Sequence, residues 1–97
     1  MRIEWSPRSE EDLREIHDFI AKDAPATATS FIDRLARSAD RLLRHPEIGG
    51  IVRGGPPHRR LLFGSYRIFY RVDGEVVRIE AVRHQKRLFD PDWLTKD

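Results

Sequence analysis

Two runs of alternating residues, Tyr66–Val72 and Val76–Arg83, flank an Asp73-Gly74 pair and limit this chain's fold more than any other feature. Asp-Gly between alternating segments is a strong signal for a hairpin with a type I′ turn, whose two central residues both need positive φ. Arg59–Phe63 precedes them across Gly64-Ser65, so three strands form an antiparallel meander. Period two then sorts the side chains. Ile68, Tyr70 and Val72 share an apolar face with Val77, Ile79 and Ala81. Arg67, Phe69 and Arg71 share the other with Arg78, Glu80, Val82 and His84. The apolar face requires a cover.

The upstream half supplies it. Ile3 and Trp5 alternate with Arg2 and Glu4 as a first strand. Ser6-Pro7 is an N-cap followed by proline at the first helical position, and Glu10, Glu11 and Asp12 place negative charge in the first turns. Leu13, Ile16, His17 and Ile20 fall on one helical face, predicting a helix over about residues 7–22. Pro25 repeats the start signal, and Ala28, Phe31, Ile32, Leu35, Ala39 and Leu42 carry a second helix to about Arg44. His45-Pro46 stops it. The short link makes an antiparallel helix hairpin. The expected fold is α+β in the order β-α-α-β-β-β, a single domain over residues 1–97. With no apolar run near the ~20 residues of a membrane span and no signal-peptide pattern, the chain is expected in the cytoplasm.

Charge is unevenly placed. The whole chain carries only +2, yet residues 53–87 hold nine Lys/Arg against Asp73, Glu75 and Glu80. Arg59 or Arg60, Arg67, Arg71, Arg78 and Arg83, with Lys86 and Arg87 beyond, lie on three adjoining strands and their exit. Antiparallel sheets often have one solvated face. Here, however, like charges on neighbouring strands repel, and only Glu80 is placed to relieve them. An anion-recognition surface accounts for such a cluster, since guanidinium binds carboxylate or phosphate bidentately. Arginine stays protonated and cannot act as a general base. His84 is the near-neutral group on that face and the candidate for acid–base chemistry.

Elsewhere the signals are weaker. His17 belongs to the core edge, and His45 and His58 to loops. No two histidines have metal-ligand spacing, the chain lacks cysteine, and there is no P-loop or nucleophile elbow, so neither metal nor cofactor is expected. Arg34, Arg37, Arg41 and Arg44 make a stripe that reads as the solvated face of helix two. Trp93 is core padding or a protruding anchor.

Several blocks in order resemble one family. They are Trp5-Ser6-Pro7-Arg8, Glu11-Asp12-Leu13-Arg14-Glu15-Ile16, His45-Pro46-Glu47-Ile48-Gly49, Gly64-Ser65-Tyr66-Arg67-Ile68-Phe69-Tyr70-Arg71-Val72, and Val76 to Ala81-Val82-Arg83-His84. Together they are similar to the ParE/RelE toxin superfamily, nearer its ParE branch. The resemblance implies two helices packed on a twisted antiparallel sheet, the toxin role in a plasmid-stabilisation type toxin–antitoxin module, and a ParD-like antitoxin partner in a hetero-oligomer. DNA would be bound only through the antitoxin. Toxins similar to ParE poison DNA gyrase, whereas those similar to RelE cut messenger RNA on the ribosome.

By motif position, Arg67 and Arg83-His84 fall where nuclease members carry site residues. Against a nuclease, the only lysines are Lys22, Lys86 and Lys96, residues 48–58 hold no carboxylate, and Phe89 and Trp93 stand where several members have a tyrosine. The leading expectation is therefore a gyrase poison. Its target-binding set is Arg60, Arg67, Arg71, Arg83, His84, Lys86, Arg87 and Trp93, with Arg67, Arg83 and His84 catalytic only in a ribonuclease. A domain that has lost toxicity and kept antitoxin binding is the third reading.

Overall fold

Residues 1–53 and 57–86 are described by the computed structural model. Strand β1 (Arg2–Trp5) leads into helix α1 (Pro7–Ala21), and a three-residue link leads to α2 (Pro25–Ser38). Ser6 caps α1 as its sequence promised, its side chain accepting from the Ser9 N–H at 3.0 Å. The second helix is shorter than its apolar stripe. The Ser38 hydroxyl donates to the Leu35 carbonyl at 2.6 Å, and the chain tightens into a 3-10 turn over Ala39–Leu43. No described helix is long and apolar enough to cross a membrane.

The meander consists of β3 (Arg59–Phe63), β4 (Tyr66–Asp73) and β5 (Val76–His84), preceded by β2 (Gly50–Ile51), a two-residue edge strand that periodicity did not reveal. The sheet order is β1-β5-β4-β3-β2, antiparallel except that β1 runs parallel to β5. Both hairpin loops have two residues, Gly64-Ser65 and Gly74-Glu75. Only their glycines take positive φ, 56° and 61°. That is the type II′ pattern, with glycine at the first central position, and not the type I′ turn expected of Asp73-Gly74.

The helices cover one face of the sheet. Leu35, Ala39 and Leu42 pack with Leu61, Ile68, Tyr70, Val77, Ile79 and Val82, and Ile3, Trp5, Leu13, Ile16, Phe31 and Phe63 flank them. Val52, Phe69 and Ala81 form a smaller cluster, Phe69 and Ala81 belonging to the face turned away from the helices.

The loop His45-Pro46-Glu47-Ile48-Gly49 is held by the sheet. The Tyr70 hydroxyl donates to the Pro46 carbonyl at 2.8 Å and accepts the Gly49 N–H at 2.9 Å. Arg59 Nη1 donates to the Gly49 and Glu47 carbonyls at 2.8 and 3.2 Å. Burial pushes the Tyr70 hydroxyl's pKa up, against the Gly49 hydrogen bond and nearby Arg59. Gly49 is needed for space: a Cβ there would lie 2.5 Å from the Arg60 carbonyl oxygen and 2.6 Å from Tyr70 Oη.

Two losses of stability are expected, each measured by denaturant unfolding. Tyr70→Phe leaves the buried Gly49 N–H without its acceptor and costs about 1–3 kcal/mol. Gly49→Ala forces backbone apart and costs at least about 2 kcal/mol.

Candidate target-binding face and adjoining groove

Strand pairing defines the face away from the helices. Arg60 stands opposite Phe69, Leu62 opposite Arg67, Arg67 opposite Arg83, and Arg71 opposite Arg78. The expected gathering of arginines on β3, β4 and β5 is therefore present for Arg60, Arg67, Arg71, Arg78 and Arg83. Arg59 lies on the other side, where it pairs with Tyr70.

Alternation fails at one point. The β4–β5 register slips between Phe69 and Tyr70: Phe69 faces Ala81 while Tyr70 faces Ile79, leaving Glu80 as the extra residue of a β-bulge. Every β5 side chain beyond it reverses face. Val82 enters the main core, Ala81 joins Phe69, and His84 lies opposite Tyr66 on the helix side. The assignments of Ala81 to the helix-covered face, and of Val82 and His84 to the arginine face, are thereby corrected. The His84 ring meets Tyr66 edge-on at 5.1 Å.

The basic face is also less bare than a local charge count implies. Arg71 pairs with the bulge residue Glu80 at 3.1 Å. Arg78 pairs with Glu4 at 2.6 Å and Asp73 at 3.3 Å, and Arg83 with Asp12 at 3.3 Å. Glu4 and Asp12 come from the N-terminal half, outside the basic stretch of residues 53–87. Among the described residues no carboxylate pairs with Arg60, Arg67 or Lys86. What remains is a patch in which Arg60 and Arg67 flank Leu62, 60% exposed. Arg87 and Trp93 lie outside the described residues.

His84 is poorly arranged as a base. Its Nδ1 accepts the Lys86 backbone N–H at 3.1 Å, which places the proton of the neutral ring on Nε2. The lone pair that would take a substrate proton is already engaged. Among the described residues no group of three potential metal ligands converges.

A groove of about 390 Å³ opens between α1 and the end of β5, lined by Ile16, Phe19, Tyr66 and Val82 with Asp12 and Arg83 among its polar members. Phe19 is 68% exposed at this groove. Asp12 is the residue that sequence reading missed. In the sequence it supplies N-terminal helix charge and one position of a family block, yet its carboxylate is buried and accepts the Val82 N–H at 2.9 Å. No local signal could have shown this, because the partner lies 70 residues away.

Comparison with known proteins agrees with this fold. The profile of the family described as "ParE toxin of type II toxin-antitoxin system, parDE" matches residues 3–89. The chain is 31% identical over 87 residues to toxin RelE2 of Caulobacter vibrioides, covering 90% of this chain and 98% of that one. It is 29% identical over 84 residues to toxin RelE3 of the same organism, covering 84% and 91%. Its fold is similar to a chain of the chromosomal ParDE toxin–antitoxin system of P. aeruginosa, with TM-score 0.79, 19% identity and coverage of 87% and 95%. It is also similar to a chain of the intact E. coli RelBE toxin–antitoxin complex, with TM-score 0.62, 21% identity and coverage of 88% and 96%. The chain belongs to the ParE toxin family of type II toxin–antitoxin systems.

Proposed function

We propose that this toxin acts by binding, as a poison of DNA gyrase, and that its recognition surface is the patch around Arg60, Leu62 and Arg67, with Arg83 beside Arg67. The observation that carries this reading is the absence of a placed proton acceptor on the arginine face among the described residues. Glu80 is spent on Arg71, Asp12 on Val82 and Arg83, and His84 faces the helices with Nδ1 engaged. Strand cleavage by general acid–base catalysis needs a group that can accept a proton within reach of the nucleophile. Binding needs only anchors, and an apolar side chain ringed by arginines is a common composition for a protein–protein contact.

A cognate antitoxin, as in the ParDE and RelBE systems whose folds are similar, would neutralise the chain in a hetero-oligomer. An acidic segment with apolar anchors suits both the arginine patch and the groove at Phe19. Ribosome-dependent messenger cleavage is the second reading. It draws on the RelE names of the relatives and on the direct opposition of Arg67 and Arg83 across β4 and β5.

Purified components separate the two. DNA supercoiling by gyrase and messenger integrity on programmed ribosomes are each measured with and without the protein. Loss of supercoiling with intact messenger is the expected result; messenger cleavage with unimpaired gyrase would overturn it. Arg67→Ala is expected to weaken the effect on gyrase by about tenfold to a hundredfold, as truncation of an interface anchor does. Its melting temperature should stay unchanged, since no described carboxylate depends on Arg67.

A further inference from the structure

Beyond Ile79, strand β5 has no neighbouring strand on its outer side among the described residues, because β1 ends at Trp5. The start of α1 takes over that edge. The Ser6 N–H and hydroxyl donate to the carbonyls of Ile79 and Glu80, each at 2.9 Å, and Asp12 Oδ2 accepts the Val82 N–H at 2.9 Å. Asp12 then does something that edge closure does not require. Its second oxygen, Oδ1, holds Arg83 Nη1 at 3.3 Å, and its side chain is only 6% exposed.

We propose that Asp12 is a positioning residue for target recognition: from behind the sheet edge, its carboxylate holds the guanidinium of Arg83 at the rim between the groove and the arginine face, on the strand position opposite Arg67. The proposal rests on the reading that this face is the target's seat. An arginine held by one carboxylate is oriented before a target arrives, and the entropy of ordering a long side chain is then not charged to binding. The groups facing Asp12 are Arg8 and Glu15 on its own helix, Arg83 and His84 on β5, and Tyr66 on β4.

The energetics argue that the charge serves recognition more than stability. Burial raises the Asp12 pKa above its ordinary value, outweighing the lowering by the Val82 hydrogen bond and by Arg83; Glu15 adds to the rise and Arg8 opposes it. A carboxyl that keeps its proton to higher pH when folded favours the fold in its protonated form. That contribution is present at low pH and is lost as pH rises from the unfolded pKa through the folded one. Where the group is ionised, the fold thus carries its charge at a net cost. An amide in its place still offers an oxygen to the Val82 N–H and escapes that cost.

The test compares wild type, Asp12→Asn, Asp12→Ala, and Glu11→Gln as a control; Glu11 is exposed and among the described residues pairs with Arg14. Melting temperature, the NMR signal of the Arg83 side-chain Nε–H, and growth arrest on induction without antitoxin are measured for each. Asp12→Asn is expected to melt at or above the wild-type temperature while the Arg83 signal becomes mobile. Growth arrest should weaken by about tenfold or more, the loss expected when an interface anchor is no longer oriented before binding. Asp12→Ala should melt lower, and Glu11→Gln should match wild type. In wild type, lowering the pH through the Asp12 titration should mobilise Arg83 in the same way.

The proposal is overturned if Asp12→Asn arrests growth fully, or if Arg83 stays ordered in the amide variant. Should Asp12→Asn fail to fold, the wild-type pH titration decides, and an Arg83 signal indifferent to Asp12 protonation overturns it. If wild type itself arrests no growth, the functional reading fails, and the Arg83 signal alone decides whether Asp12 holds it.

Discussion

The structure depends on how the outer edge of β5 is satisfied. Nine residues long, that strand has β1 beside it only from Val76 to Ile79. An exposed run of unpaired N–H and C=O groups is a site for pairing with other chains, and a buried one is costly. Here Ser6 and Asp12 stand in for the missing strand, so the helix hairpin is bonded to the sheet as well as packed on it. The bulge at Glu80 belongs to the same arrangement. Ser6 Oγ docks on the bulge carbonyl, and the reversal that follows sends Val82 inward under the helices and Arg83 outward.

Most of the elements could be read from the sequence because they are set by local physics. Alternation gave three of the strands, Ser6-Pro7 and Pro25 marked both helix starts, and the apolar stripes named Ala28, Leu35, Ala39 and Leu42, all fully buried. The errors cluster where a distant contact overrides a local period. In Glu80-Ala81-Val82, two adjacent small apolar residues can each serve as the inward one, and period two chose Ala81. Val82 turns inward instead, where Ser6 and Asp12, remote in sequence, bond the backbone of Glu80 and Val82. His84 was misplaced for the same reason, and the candidate base went with it.

Charge was the other quantity a local reading misjudged. Arg71 and Arg78 stand directly opposite each other and would repel, but each has a carboxylate: the bulge supplies Glu80, and β1 supplies Glu4. These pairs are partly exposed, and exposed ion pairs are worth only about 0–1 kcal/mol. Their effect lies in distribution more than in stability. They quiet the end of the face near the Gly74 turn and leave the positive potential near the other turn, where Arg67 and Leu62 stand opposite each other. A count over residues 53–87 sees the cations and misses the two acids that come from before residue 13.

The same distribution bears on whether the face binds or cuts. General acid–base cleavage needs some group to receive a proton, and among the described residues the carboxylates that meet this cluster, Glu80, Glu4, Asp73 and Asp12, are each paired with an arginine. Freeing one would expose the repulsion it relieves: Glu80 released from Arg71 leaves Arg71 and Arg78 opposed with only Glu4 and Asp73 to offset them. Asp12 released from Arg83 would leave a buried carboxylate without its cation, with Oδ2 still held by the Val82 N–H. The acids are therefore tied to the architecture, and among the described residues Arg60 and Arg67 have no carboxylate of their own. The proposed binding role rests on that division.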